Sequence, residues 1–169
     1  MTTLRTFCTV QYFAFVLLSG LSFATMVSIA PVAAQTPAGS ALSEPQDVNG
    51  ASGLVAQIVQ CKRAGGVLSI RMRLRNTGSE KSYLKLVHGG NYDGYYLVAG
   101  KKKYFVLRDS EKTPLANPTN NFSKDVETTI QKGGSFVWYA KYPAPPNEVK
   151  KITYYTPITA PFEDVPVSE

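Results

Sequence analysis

The stretch that decides the fold is VLSIRMRLR, residues 67–75. Leu68, Ile70, Met72 and Leu74 are apolar, and the positions between them are a serine and three arginines. This period of two predicts a β-strand with one buried face and one basic, solvated face. A helix would distribute the two sets over mixed faces, so the helical alternative is excluded for this segment.

Short segments with strand-like sequence patterns lie on both sides of this strand. Turn signals such as Gly65-Gly66 and Gly133-Gly134 separate them. They cover residues 54–63, 81–87, 95–99, 102–108, 126–130, 136–141 and 149–156. The regular spacing of strand segments and turns predicts an all-β chain of seven or eight strands, arranged as an immunoglobulin-like antiparallel β-sandwich. A partly open barrel is the alternative, because it has the same period and turns.

The N-terminus has the composition of an export signal. Residues 1–34 carry one charged side chain, Arg5, followed by an apolar stretch over 12–30 and the small residues Val32 and Ala34. This pattern predicts a signal peptide cleaved after Ala34 and a periplasmic or secreted protein. The alternative is an uncleaved membrane anchor over 12–30, which is long enough to span a bilayer and is the only route to a membrane that the sequence offers.

A change of composition divides the remaining chain. Residues 35–52 have no aromatic side chain and are dominated by Pro, Gly, Ser and Ala, which predicts a disordered, flexible linker. Residues 53–169 form the predicted sandwich domain, and its last segment, 157–169, is read as an acidic, proline-interrupted tail.

Charge is concentrated in the predicted domain. The 169 residues include 18 Lys+Arg and 12 Asp+Glu, for a net charge of +6, whereas residues 53–160 alone hold 17 basic and seven acidic residues. A local excess of this size favours an anionic partner. Nucleic acid is not expected, because export separates the chain from it.

Two basic groups and one aromatic group are the candidate binding residues. Arg71, Arg73 and Arg75 share one face of a strand, where arginine is suited to bidentate contacts with phosphates or carboxylates. The alternative is that these charges only protect a solvated sheet face from aggregation. The other candidates are Lys101, Lys102 and Lys103 at a hairpin and Tyr92, Tyr95 and Tyr96 at a loop–strand junction.

The sequence gives little support for a catalytic site or a metal site. The single histidine, His88, has no visible triad partner, and a Gly-x-Ser-x-Gly elbow is absent. No catalytic residue, metal site or cofactor is therefore predicted.

Cleavage after Ala34 would leave one cysteine, Cys61, predicted to be a buried thiol, and Trp138 is predicted to lie in the core.

Several stretches resemble small exported bacterial immunoglobulin-like domains, found alone behind a signal peptide or fused to outer-membrane-protein-A-type peptidoglycan-binding modules. The stretches are SIRMRLRNTG (69–78), KKYFVLRDS (102–110), WYAKYPAPP (138–146), VKKIT (149–153) and PFEDVP (161–166). The resemblance covers residues 53–167. It implies an immunoglobulin-like fold and brings no catalytic residues with it.

The expected function is therefore non-enzymatic binding or scaffolding at the cell envelope, with a protein or an anionic envelope component as partner. One alternative is a structural accessory subunit that pairs through a sheet edge. The other is an enzyme or enzyme inhibitor that uses the loop from His88 to Tyr96.

Overall fold

The computed structural model describes residues 41–169. The predicted signal peptide (1–34), its cleavage after Ala34, the alternative anchor (12–30) and the first residues of the linker lie outside the described residues. Ten strands are present: β1 (Gln46–Asp47), β2 (Leu54–Ala64), β3 (Val67–Asn76), β4 (Ser82–Val87), β5 (Tyr96–Ala99), β6 (Lys102–Phe105), β7 (Val126–Ile130), β8 (Ser135–Pro143), β9 (Lys151–Tyr155) and β10 (Phe162–Pro166).

The strands form two four-stranded sheets and one two-stranded pair. The first sheet has the order β1-β2-β3-β8, the second has the order β10-β9-β5-β6, and β4 pairs with β7. Every pairing between these strands is antiparallel. The all-β, antiparallel, sandwich-like part of the prediction is confirmed. Within residues 41–169 no helix is long and apolar enough to cross a membrane.

The core lies between the two sheets. Leu68, Ile70, Met72 and Leu74 of β3 are fully buried, as the alternation in residues 67–75 predicts. Trp138 of β8 is also fully buried, and its ring lies 4.2 Å, centroid to centroid, from that of Tyr95, which immediately precedes β5. Since aromatic rings bury large areas, this contact is a main apolar connection between the sheets.

A β-bulge in β2 changes which side chains face the core. The register with β3 shifts between Ile58 and Gln60, so that Gln60 lies opposite Arg71 and Cys61 lies opposite Ile70. An extra residue reverses the alternation beyond it, because side chains along a strand have a period of two. Cys61 is consequently buried in the core, as predicted.

The bulge also buries a charged residue, Arg63, which is 6% exposed. Its guanidinium donates hydrogen bonds to the Glu169 carboxylate (2.7 Å) and to the main-chain oxygens of Val149 (2.8 Å) and Pro146 (3.1 Å). These contacts connect β2 to the loop before β9 and to residue 169. The alternation of β2 in the sequence does not predict them, since it gives no sign of the extra residue.

Two segments differ from the prediction. The linker predicted for 35–52 contains β1, and Val48 and Ala51 within it are buried. The acidic tail predicted for 157–169 contains β10, which places Phe162 and Val165 in the core. Both are short, and β10 has a register irregularity between these two residues, so neither presents a sustained period of two.

Candidate functional site

The outer face of the first sheet carries a set of cations. Since the inward residues of β3 alternate with its arginines, Arg71, Arg73 and Arg75 all project outward. Lys62 of β2 and Lys141 of β8 lie opposite Ser69 of β3 and so project from the same face. We call these five side chains the cationic face: Lys62, Arg71, Arg73, Arg75 and Lys141.

None of the five forms an ion pair within the part of the chain that the structure describes. The ion pairs found there involve other cations, namely Arg63, Lys85, Lys150 and Lys151, and a further contact joins His88 to Asp125. The cross-strand neighbours of the arginines are neutral, with Gln60 and Tyr139 beside Arg71 and Gln57 and Val137 beside Arg73. Val55 and Ser135 lie beside Arg75, so no immediate cross-strand neighbour of the three arginines is a carboxylate. One carboxylate, Asp47 of β1, lies in the row of Arg75, one strand beyond Val55.

Spacing adds to this electrostatic imbalance. Alternate residues of a strand are separated by roughly 6.6 Å, so successive arginines of β3 stand within about one Debye length, roughly 8 Å at physiological ionic strength. Arg71 and Arg75 are exposed and Arg73 is half-buried. Because like charges at this range repel, a bound anion would relieve the repulsion as well as pair with the side chains.

The backbone under the exposed residues of β8 is held from both sides. On one side β8 pairs with β3 along its whole length. On the other, Asn117 contacts Tyr139, with its Oδ1 accepting from Tyr139 N (2.6 Å) and its N donating to Tyr139 O (3.2 Å). Lys141 N donates to Leu115 O (2.9 Å), and Leu107 N donates to Lys141 O (2.8 Å). The loop 107–117 thus occupies the hydrogen-bonding edge of β8 at these positions.

A small depression opens in the cationic face. It has a volume of about 210 Å³ and is lined by Gln60, Ser69, Ile70, Arg71, Tyr139, Ala140 and Lys141, of which Ile70 and Ala140 are buried. Tyr139 is 40% exposed. The lining therefore combines two cations, a hydroxyl, an amide and an aromatic ring.

The hairpin lysines lie elsewhere. Lys102 and Lys103 belong to β6 of the second sheet, and Lys101 lies in the turn before it. Lys103 Nζ sits 4.6 Å from the ring centroid of Tyr96. The structure therefore does not join the lysines to the arginines, which project from the outer face of the other sheet.

The three candidate tyrosines are also separated by the fold. Tyr96 is half-buried on the outer face of the second sheet, where it stacks on Tyr155 at 4.7 Å between ring centroids. Tyr92 and Tyr95 are only 3% and 1% exposed. Their hydroxyls donate to main-chain oxygens of Asn117 (2.6 Å) and Leu86 (2.7 Å). Both side chains are internal, so neither offers a surface for contact with a partner, unlike the surface position expected for these candidate binding residues.

His88 is highly exposed and lies beside a buried carboxylate. Its Nδ1 is 3.2 Å from Asp125 Oδ1, which also accepts a hydrogen bond from Gly89 N at 2.8 Å. Lys85 Nζ lies 2.6 Å from Asp125 Oδ2. The hydrogen bonds from Lys85 and Gly89 hold the pKa of Asp125 well below its usual range. Asp125 thus holds the start of the loop at His88 and Gly89 against Lys85 of β4.

A metal centre finds no basis in residues 41–169, where no group of three or more potential His, Cys, Asp or Glu ligands comes together. Five polar members of the site are absent from the residues predicted from the sequence: Gln60, Lys62, Ser69, Tyr139 and Lys141. A signal for two of them exists, because Tyr139 and Lys141 alternate with buried residues of β8. The position of Tyr139 and Lys141 beside Arg71 depends on the pairing of β8 with β3, and residues 77–134 separate these two strands in the chain.

No known protein family, no curated protein and no solved structure matches this chain.

Proposed function

We propose that this chain is an exported, non-enzymatic immunoglobulin-like domain that binds an anionic component of the bacterial cell envelope through its cationic face. One observation carries the proposal. Lys62, Arg71, Arg73, Arg75 and Lys141 project from one sheet face, and none is paired with a carboxylate within residues 41–169. A face that only needed solubility would be served equally by mixed charges, which do not repel one another.

The immunoglobulin-like part of the proposal is supported by strand order. An immunoglobulin sandwich places strands A, B and E in one sheet and strands G, F, C and C′ in the other. The succession β2-β3-β8 corresponds to A-B-E, and β10-β9-β5-β6 corresponds to G-F-C-C′. On this assignment the β4–β7 pair is an addition to the common pattern. The export part rests on the composition of residues 1–34.

The two alternative functions have less support. Accessory pairing through a sheet edge needs a free edge. In the first sheet the loop 107–117 bonds to β8, while β1 and Ser168 bond to β2, so this alternative would have to use β6 or β10, the outer strands of the second sheet. An enzyme or inhibitor built on the loop from His88 to Tyr96 would need accessible groups there. Tyr92 and Tyr95 are internal, which leaves His88, Asn91, Asp93 and the half-buried Tyr96 as its accessible side chains.

The test compares two variants with the same change of charge. In one, Arg71, Arg73 and Arg75 are all replaced by Gln; in the other, Lys101, Lys102 and Lys103 are replaced by Gln. Binding of the full-length chain to isolated envelope fractions is measured by co-sedimentation at several salt concentrations. We expect the arginine variant to lose at least about tenfold in affinity and to show a weaker salt dependence than the unmodified chain.

The lysine variant is expected to bind nearly as the unmodified chain does. Equal losses in the two variants would mean that net charge matters and the cationic face does not. Binding that is unaffected by the arginine substitutions would overturn the proposal. Mass spectrometry of the protein recovered from the envelope tests the export part, since an intact Met1 contradicts cleavage after Ala34.

A further inference from the structure

We propose that the depression beside Arg71 is a binding site for a carboxylate-bearing sugar unit of an acidic glycan. This inference rests on the proposed function, because it assigns a ligand class to part of the cationic face. It is carried by the residues that meet at the depression and by the way the fold holds them.

The side chains that line the depression match the chemical groups of a carboxylated sugar. Arg71 and Lys141 supply positive charge, and a guanidinium can bind a carboxylate through two parallel hydrogen bonds. Gln60 and Ser69 supply both donors and acceptors, as sugar hydroxyl groups require. Neither of these two side chains takes part in a hydrogen bond within residues 41–169. Their polar atoms are therefore available to a ligand.

A phosphate or sulfate ion would use less of the site. Such an ion offers only acceptor oxygens, so it would pair with Arg71 and Lys141 and leave the acceptor atoms of Gln60 and Ser69 and the ring of Tyr139 without a role. The volume, about 210 Å³, is below the roughly 300–1,000 Å³ of a drug-sized ligand pocket. A single sugar ring with one carboxylate fits this combination of size and polarity.

Tyr139 provides the aromatic surface. Within the described chain its ring has neither an aromatic partner nor a cation over it, although it is 40% exposed. Tyr96 differs, since it stacks on Tyr155 and has Lys103 beside its ring. Of these two exposed rings, Tyr139 is the one that remains available for stacking on the apolar face of a sugar.

The site is also pre-organised. The β-bulge between Ile58 and Gln60 turns Gln60 outward and places it opposite Arg71. Asn117 fixes the backbone of Tyr139, and Leu107 and Leu115 fix that of Lys141. A site whose backbone is bonded on both sides loses little conformational freedom on binding, so more of the contact energy appears as affinity.

Calorimetric titration of the full-length chain tests the inference, with trigalacturonate and trimannuronate as carboxylated probes. Galactotriose is the neutral control and inorganic phosphate the anion control. We expect at least one carboxylated trimer to bind at least about tenfold more tightly than either control. Arg71→Gln and Tyr139→Ala should each weaken it by about tenfold. Lys132→Gln and Tyr83→Ala change exposed residues outside the site and should not weaken it.

Thermal unfolding of each variant verifies that the fold is kept. The inference is overturned if neither carboxylated trimer binds more tightly than galactotriose, or if Tyr139→Ala binds as well as the unmodified chain. Envelope binding that is lost in the triple arginine variant but unaffected by Tyr139→Ala would leave the proposed function standing without the sugar site. Vesicles of phosphatidylglycerol that bind independently of Tyr139 would likewise assign the face to lipid headgroups.

Discussion

Trp138 Nε1 donates a hydrogen bond to the hydroxyl oxygen of Tyr154 across 3.1 Å, joining β8 of the first sheet to β9 of the second. The hydroxyl of Tyr142 donates to the same oxygen, also at 3.1 Å. All three side chains are fully buried. Burial raises the pKa of Tyr154 to about 12, although both hydrogen bonds oppose that shift. The oxygen of Tyr154 is therefore a neutral acceptor that satisfies two buried donors at once.

Replacing Tyr154 with Phe should lower the free energy of unfolding by about 1–3 kcal/mol, because it leaves the Trp138 and Tyr142 donors buried without a partner. Urea unfolding followed by tryptophan fluorescence measures the change. The matched control is Tyr155→Phe on the outer face of the same strand, which should change stability by less than about 0.5 kcal/mol. Equal effects of the two substitutions would contradict a structural role for the buried hydroxyl.

Arg63 is expected to stabilise the fold mainly through its main-chain contacts. Arg63→Ala would remove the donors to Val149 O and Pro146 O and leave space around β2, at a cost of about 2–4 kcal/mol. Glu169→Gln should cost less than about 0.5 kcal/mol, since its carboxylate is 63% exposed. Urea unfolding of both variants is the measurement, and a larger effect at Glu169 would show the ion pair to be the main contribution.

Asp125 should make the free energy of unfolding depend on pH in the acid range. Its pKa in the folded chain lies below the usual 3.8, so its ionised form stabilises the fold above about pH 4 and this contribution is lost as pH falls. Asp125→Asn should therefore flatten the fall in unfolding free energy between about pH 5 and pH 2. Asp93→Asn is the control, since this carboxylate is exposed in the loop that follows His88. If the unfolding free energy of Asp125→Asn fell as steeply with falling pH as that of the unmodified chain, the stabilising role of the Asp125 carboxylate would be refuted.

Cys61 should be chemically inert in the folded chain. Burial raises the pKa of its thiol to about 12, with nearby Arg63 opposing the shift, so almost no thiolate is present at neutral pH. Iodoacetamide at about pH 8 is expected to leave Cys61 unmodified in the native protein and to modify it fully in urea. Peptide mass spectrometry separates Cys61 from Cys8. Rapid native modification would mean that β2 opens readily.

The alternation in residues 67–75 was sufficient to predict a strand, its buried face and its row of three arginines. Turn signals such as Gly100-Lys101 correctly separated β5 from β6. The short strands β1 and β10 were missed, because two to five residues with an irregular register carry no measurable period. Tyr92 and Tyr95 were assigned to a surface because a loop position gives no sign of burial, which depends on packing against Trp138.

Local chemistry was thus determined by the sequence itself: β-strand character, a basic strand face and a thiol without an evident partner. The tertiary structure decided which of these residues meet. Pairing of β3 with β8 brings Arg71 beside Tyr139, and one extra residue in β2 turns Gln60 outward and Arg63 inward. The physical reason is that strand alternation is a local property of neighbouring residues. Register and sheet order instead arise from contacts between residues that are distant in the chain. A single sequence does not encode those contacts in any repeating pattern.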